Sequence, residues 1–362
     1  MRLSSFFAAP ALFFVFNSPG MAAALKPIAT IAIPGVPVDA FGAIFVDSTI
    51  HRAFLTDRSN KAIDIIDTAA DKFLSRVTGF VGVGASGNTS GPQGVVTTDH
   101  GTQVWATDGD STVKVIDLAA GKIVDSISTG GKHRTGELAY DPRDKVVLAT
   151  NPGETPQYVT LISTEPDHRI IAKIILADAT EGLERPAYSP QSGLFYVPVP
   201  SLDAARTAGG LAAIDPRQGK LITVYRTDHC NPHSIAILSE GRAFIRCNYG
   251  APDSAGDKGQ LASFDLTAGK IVAIAAGLGG DGQTAVDVVD GQYYFYAAAN
   301  KNPGGPVLKV VDVHTLGSVQ TITTWAGSHS VGVSSDTHRV YLPTIAKTGP
   351  CGGCVEVYAP TQ

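Results

Sequence analysis

Hydrophobic and polar residues alternate along most of this chain in short runs, separated by turn-forming polar residues. Alternation with a period of two marks a strand with one buried face. The clearest stretch is VVTTDHGTQVWATDGDSTVKVIDLAAGKIVDSIST, residues 95–129. It predicts an alternating strand, a polar turn and a second strand ending in Asp. A third strand also ends in Asp, a Gly/Ala turn follows, and a fourth strand closes the unit. Residues 44–78, IFVDSTIHRAFLTDRSNKAIDIIDTAADKFLSRVT, repeat the same order, and residues 235–277 repeat it with a longer insert.

Four more segments open in the same way: LAYDPRDKVVLATN from Leu138, PAYSPQSGLFYVPV from Pro186, VDVVDGQYYFYAAAN from Val286 and VGVSSDTHRVYLPT from Val331. The last unit runs on to CVEVYAP and stops one strand short. LKPIATIAIPG, residues 25–35, looks like the closing strands GKIVDSISTGG and GKLITVYRTDH, so it can supply the missing strand. Seven four-stranded units of this length predict an all-β, seven-bladed β-propeller spanning residues 25–362, with the last blade closed by the N-terminal strand. Such closure removes the sheet edges that an open stack exposes. An open β-solenoid is the alternative, and the split unit argues against it.

The second strands end in AFLTD, VWATD, VLATN, FIRCN, YAAAN and VYLPT, and the third strand of the unit at residues 95–129 runs VIDLAAGK, with Asp followed by Gly-Lys. This pattern resembles the YVTN-type propellers, which include the YncE-like exported bacterial proteins. The resemblance covers nearly the whole of residues 25–362. It implies the propeller fold but no single activity, because the fold hosts many.

In a propeller the first strand of each unit lines the central channel. Its start shares a face with the end of the second strand and with the connections between blades. Aligned on the first strands, the equivalent positions are Gly42, Gln93, Gly136 with Glu137, Glu184 with Arg185, His233, Gln283 with Thr284, and His329. Second strands end at Asp57, Asp108, Asn151, Asn248 and Asn300, and the inter-blade connections add His133, Arg134, Asp228, His229 and Asp281. The loops on this face are long, as in PSLDAARTAGG and TIAKTGPCGG, whereas the opposite turns are as short as SEG and DG. Elaborate loops on a rigid scaffold are where recognition resides.

These positions suggest three kinds of chemistry. His233, His329 and Glu184 have the donor types of a zinc or other transition-metal site, while the Asp and Asn set would suit a calcium-like ion. Gluconolactonase-type propellers and streptogramin lyases are similar in form and use channel-mouth residues of these kinds, but no local motif of either is matched here. Without a metal, His233 could act as base and His329 as acid partner, with Glu184 or Glu137 orienting them. Gln93, Glu137, Arg185, Asp228, His229, Asn248, Asp281 and Asn300 are the remaining candidate ligand-binding residues. The bland alternative is that each histidine satisfies backbone groups at a crowded centre.

Four cysteines allow three pairings. Cys230 precedes a first strand and Cys247 lies near the end of the second, with the turn LSEG nearly midway, so a disulfide between them is plausible. Cys351-Gly-Gly-Cys354 reads as a small loop-closing disulfide, and Val355 in place of His excludes a c-type haem. No nucleotide-binding motif is assigned. His51, His100 and His338 fall in short turns of the opposite face, and His168 and His314 between third and fourth strands. Trp105, Trp325 and the run Tyr293–Tyr296 read as sheet-packing residues.

Composition adds the setting. Arg2, the apolar run from Phe6 to Phe16 and the small residues before Leu25 resemble a secretory signal peptide, residues 1–24, cleaved near Ala24. A periplasmic or secreted location follows, which permits disulfides. No later run is long enough to span a bilayer. Charged residues make up 17% and the net charge is −5 with no basic stripe, which argues against nucleic acid. The expectation is a monomeric propeller that binds a small polar molecule, a divalent metal ion or an envelope protein at its long-loop face. The alternative is a metal-dependent hydrolase or lyase acting there on a lactone, sugar or aromatic substrate.

Overall fold

The computed structural model describes residues 24–238, 241–248, 259–277 and 282–361. Residues 1–23 of the leader-like segment, and the candidate Asp281, lie outside this set. The described residues form seven four-stranded antiparallel sheets in a ring. In chain order the blades occupy 41–78, 95–128, 138–175, 187–228, 232–276, 284–323 and 332–360. The seventh blade takes Leu25–Ala32 as its outer strand, paired antiparallel with Cys354–Pro360 from Leu25↔Pro360 to Ala32↔Cys354. The N-terminal strand therefore closes the ring as its resemblance to the other outer strands predicts.

Alternation survives mainly in the outer strands. Lys122–Ser128 exposes every second residue until its end, whereas Val146–Asn151 is buried throughout. The middle strands lie between two neighbouring blades, so both of their faces are covered. Seven hydrophobic clusters fill the ring, one at each blade-to-blade junction. Phe54 and Ile63 of blade 1 meet Val95 and Val104 of blade 2, and Trp105 and Val113 of blade 2 meet Leu138 and Val147 of blade 3. Ile31, Val355 and Tyr341 of blade 7 close the circle against Phe41 and Ile44 of blade 1. Trp105 is fully buried as expected. Trp325 is not a sheet-packing residue: it sits beyond the end of its strand, 39% exposed, with its indole N–H on Glu356 Oε1 at 3.3 Å.

The threonine that precedes the terminal Asp or Asn of the second strands has a defined task. Thr56 Oγ1 accepts the N–H groups of Gly42 and Ala43 at 3.0 and 2.6 Å and donates to the Gln93 carbonyl of the next blade at 3.1 Å. Thr107 accepts from Gly94 at 2.8 Å and donates to the Gly136 carbonyl, again one blade on. One hydroxyl can both accept and donate, so it fixes its own first strand and the neighbour's together. The blades approach so closely here that a Cβ on Gly42 would fall on the Gln93 carbonyl and within 2.6 Å of Thr56 Oγ1.

Both expected disulfides are present. Cys230 and Cys247 are bonded across the first hairpin of blade 5 with their Cα atoms 4.8 Å apart, and Cys351 is bonded to Cys354.

Candidate functional site

The starts of the first strands converge at the long-loop end of the channel, and their side chains form a hydrogen-bonded layer. Glu137 of blade 3 is its hub. Its Oε1 accepts the side-chain amides of Gln93 at 2.8 Å and Gln283 at 2.9 Å, and its Oε2 faces Arg185 Nε at 3.4 Å. Gln283 comes from blade 6, on the far side of the ring, so this contact spans the channel. Arg58 of blade 1 donates to Gln93 Oε1, and Ser330 of blade 7 donates to Gln283 Oε1. Glu137 is only 5% exposed. A buried carboxylate is tolerated where charge-assisted donors surround it, and here two amides and a guanidinium do so. Burial depresses the Arg58 guanidinium to about 10, helped by the like charge of Arg134 and opposed by Glu137.

A second pairing lies beside this layer. His233 Nδ1 stands 3.5 Å from Glu184 Oε1, and both side chains are partly exposed. The two residues come from adjacent blades, which are also joined by a bridge between Arg185 and Ser234. Ser234 in turn receives the Thr284 hydroxyl at 3.0 Å.

His329 is placed differently. Its Nδ1 faces the Gly327 carbonyl at 2.8 Å, its Nε2 faces the Gly42 carbonyl at 3.0 Å, and its ring stacks on Phe41 at 4.3 Å. Both ring nitrogens are turned onto backbone carbonyls, so neither is aimed at a shared metal position with Glu184 and His233. Equivalent ring positions thus hold two histidines in unlike settings, one on a carboxylate and one against backbone. Among the described residues no group of three or more His, Cys, Asp or Glu side chains is arranged to hold a metal ion.

The remaining candidates scatter. Asn248 Oδ1 accepts from Arg246 Nη2 at 3.0 Å, and Arg246 is almost fully buried, so Asn248 braces blade 5. Asp228 is exposed and pairs with Arg226 Nε at 2.9 Å, and His229 beside it is exposed with a φ of 57°. Asn300 Oδ1 is buried without a hydrogen-bond partner. The terminal acids of the early blades serve the sheets: Asp57 takes Asn60 and Arg76, and Asp108 takes Lys114 and the Val81 N–H.

A polar cavity of about 350 Å³ opens on the same face between blades 2, 3 and 4. Gln93, Glu137 and Glu184 line it together with Arg134, Gln157 and Glu181. Glu181 is paired with Arg206. Glu154, also on the wall, is occupied: burial works to raise its carboxyl, but the N–H groups of His133 and Lys132 and the His133 ring outweigh it and hold it below the usual range. Two buried atoms on the wall, Arg134 Nε and Gln157 Oε1, have no partner.

Sequence reasoning places Arg134 on this face but misses Arg58 and Ser330 as members of this site. Arg58 follows the Asp that ends a second strand and Ser330 follows His329, so both are one step outside the aligned ring positions. That step was the available signal.

No protein-family model matches the chain, and no curated protein sequence matches it either. Among solved structures the chain is similar to hydrazine synthase of Kuenenia stuttgartiensis, with a TM-score of 0.71. The sequence identity is 13%, and the match covers 90% of this chain and 96% of that one. At this identity the likeness speaks for the fold alone, and the fold is that of a seven-bladed β-propeller.

Proposed function

We propose that this protein is a divergent YVTN-type propeller that binds a small polar molecule in the cavity between blades 2, 3 and 4. The observation that carries this reading is the shared wall: Gln93, Glu137 and Glu184, from three successive blades, line one polar cavity of about 350 Å³. That volume falls at the lower end of small-molecule sites. The carboxylates there accept hydrogen bonds, so the ligand class is a neutral polyol or sugar, or an amine-bearing relative. Glu184 is the reading group, because it is partly exposed and its carboxylate is paired, among the described residues, with His233 alone. Calorimetric titration with a set of monosaccharides and amino sugars tests this. At least one should bind, and Glu184→Gln should weaken it about tenfold, the equivalent of ~1.4 kcal/mol. Binding that is indifferent to Glu184→Gln, or no binding across the set, refutes it.

The His233–Glu184 pair supports a second reading, in which the bound molecule is also transformed. A histidine beside a carboxylate is an acid–base pair. His233→Ala should then abolish turnover while leaving affinity largely intact.

A further inference from the structure

We propose that the channel lumen, behind the Glu137 layer, is a second binding site, and that it takes a small aromatic carboxylate entering from the short-turn face. The hydrogen-bonded layer closes the long-loop end of the channel. Beneath it lies a mostly apolar cavity of about 360 Å³ walled by Phe45, Val96, Leu138, Ala139, Tyr140 and Pro186. At the short-turn end a depression of about 430 Å³ shares Phe45, Thr97 and Tyr140 with that cavity and reaches Asp47, Val286 and Ser335 on the blades around it. The two volumes therefore adjoin, with one closed end and one open end.

Arg185 sets the chemistry of the closed end. It is the one charged residue on the wall of the inner cavity. Its Nε is committed to Glu137, while its two terminal nitrogens have no acceptor among the described residues. A guanidinium presents a planar fork that fits a carboxylate. The layer above holds two cations, Arg58 and Arg185, against the single anion Glu137, which leaves one positive charge in excess. One excess cation matches a monoanion. The rings of Phe45 and Tyr140, with the aliphatic wall between them, suit an aromatic body rather than a sugar. Asp47, at the entrance, is already engaged by Thr97 at 2.6 Å and by the Thr49 hydroxyl at 2.6 Å.

This site is separate from the sugar-sized cavity above, and its test separates them too. Phenylacetate and its neutral relative phenylacetamide are titrated into the protein by saturation-transfer NMR and calorimetry. Phenylacetate should bind at least tenfold more tightly than phenylacetamide. Arg185→Gln should remove that preference and leave phenylacetamide unchanged. Thr97→Phe, which fills the shared wall, should remove both, and Glu184→Gln should affect neither. No binding of phenylacetate at millimolar concentration overturns the proposal. So does equal affinity for the acid and the amide, or binding that survives Thr97→Phe but is lost in Glu184→Gln. Should Arg185→Gln fail to fold, the acid–amide comparison and Thr97→Phe decide the matter by themselves.

Discussion

Replacing Glu137 by Gln keeps the shape of the hub and removes its charge, which makes it a sharp test of the channel-mouth layer. Three contacts change. The two amide donors, Gln93 at 2.8 Å and Gln283 at 2.9 Å, would meet a neutral carbonyl instead of a carboxylate. A hydrogen bond to a charged group contributes about 1.5–3 kcal/mol and a neutral one about 0.5–1.5 kcal/mol, so each weakens by roughly 1 kcal/mol. Arg185 Nε, now 3.4 Å from Oε2, would face an amide nitrogen or lose its partner, at about 1–3 kcal/mol. Some of this is offset because a buried charge no longer needs to be desolvated. A net loss of about 3 kcal/mol is the expected result. For a domain of this size, with an unfolding entropy of about 0.7 kcal/mol/K, that lowers Tm by roughly 4 °C. Urea unfolding followed by circular dichroism gives the free energy directly. The cycle with Arg185→Gln should show coupling of at least ~1 kcal/mol, since the second change removes the stranded cation. A loss under about 0.5 kcal/mol, or strictly additive single variants, would show that the layer is not held by Glu137.

Three further outcomes follow from the sheets. Burial raises the Asp64 carboxyl to about 7 against the pull of Arg76, so the folded state binds a proton more tightly than the unfolded chain. Its contribution therefore falls as pH rises from about 4 to about 7 and is level beyond. Asp64→Asn should flatten that slope and stabilise the protein above pH 7 by about 1–2 kcal/mol, under a ceiling of roughly 4 kcal/mol for a shift of this size, as read by denaturation across pH. Removing the Cys230–Cys247 bond with paired serines should cost about 3 kcal/mol in urea denaturation, because the bond closes a loop with a sequence separation of 17. Gly42→Ala should cost about 1–3 kcal/mol in thermal denaturation, because its Cβ meets backbone that cannot move aside. Equal stability of that variant would mean the blades can separate at the mouth.

The blade order and the split last blade were legible because they depend on repetition, and the disulfide in blade 5 because its two cysteines flank a single hairpin turn. Aligning seven copies of one unit also put Gln93, Glu137, Arg185 and Gln283 at equivalent positions, and these do meet. Repetition could not say which way a side chain turns at such a position. His233 and His329 are equivalent in the ring, yet one faces Glu184 and the other lies flat on Phe41 of the neighbouring blade. The neighbour decides, and the neighbour is far away in sequence. Arg58 escaped for a related reason: its backbone belongs to the outward loop, and only its long side chain returns to Gln93. Alternation is lost in the second strands where two blades cover one sheet, because burial on both faces leaves no polar side.

The pairing of Leu25 with Pro360 has a consequence in time as well as in space. A chain made from its N-terminus holds the closing strand first and its partner last. Bringing together ends separated by nearly the whole length costs roughly 5 kcal/mol of chain entropy before any contact forms. Ring closure is thus the most non-local step available to this sequence, and non-local steps are slow. Until it happens, the Cys354–Pro360 strand shows an unpaired edge that the leading strand of another chain could fill equally well. Concentration during refolding should therefore decide between a closed monomer and a strand-exchanged pair.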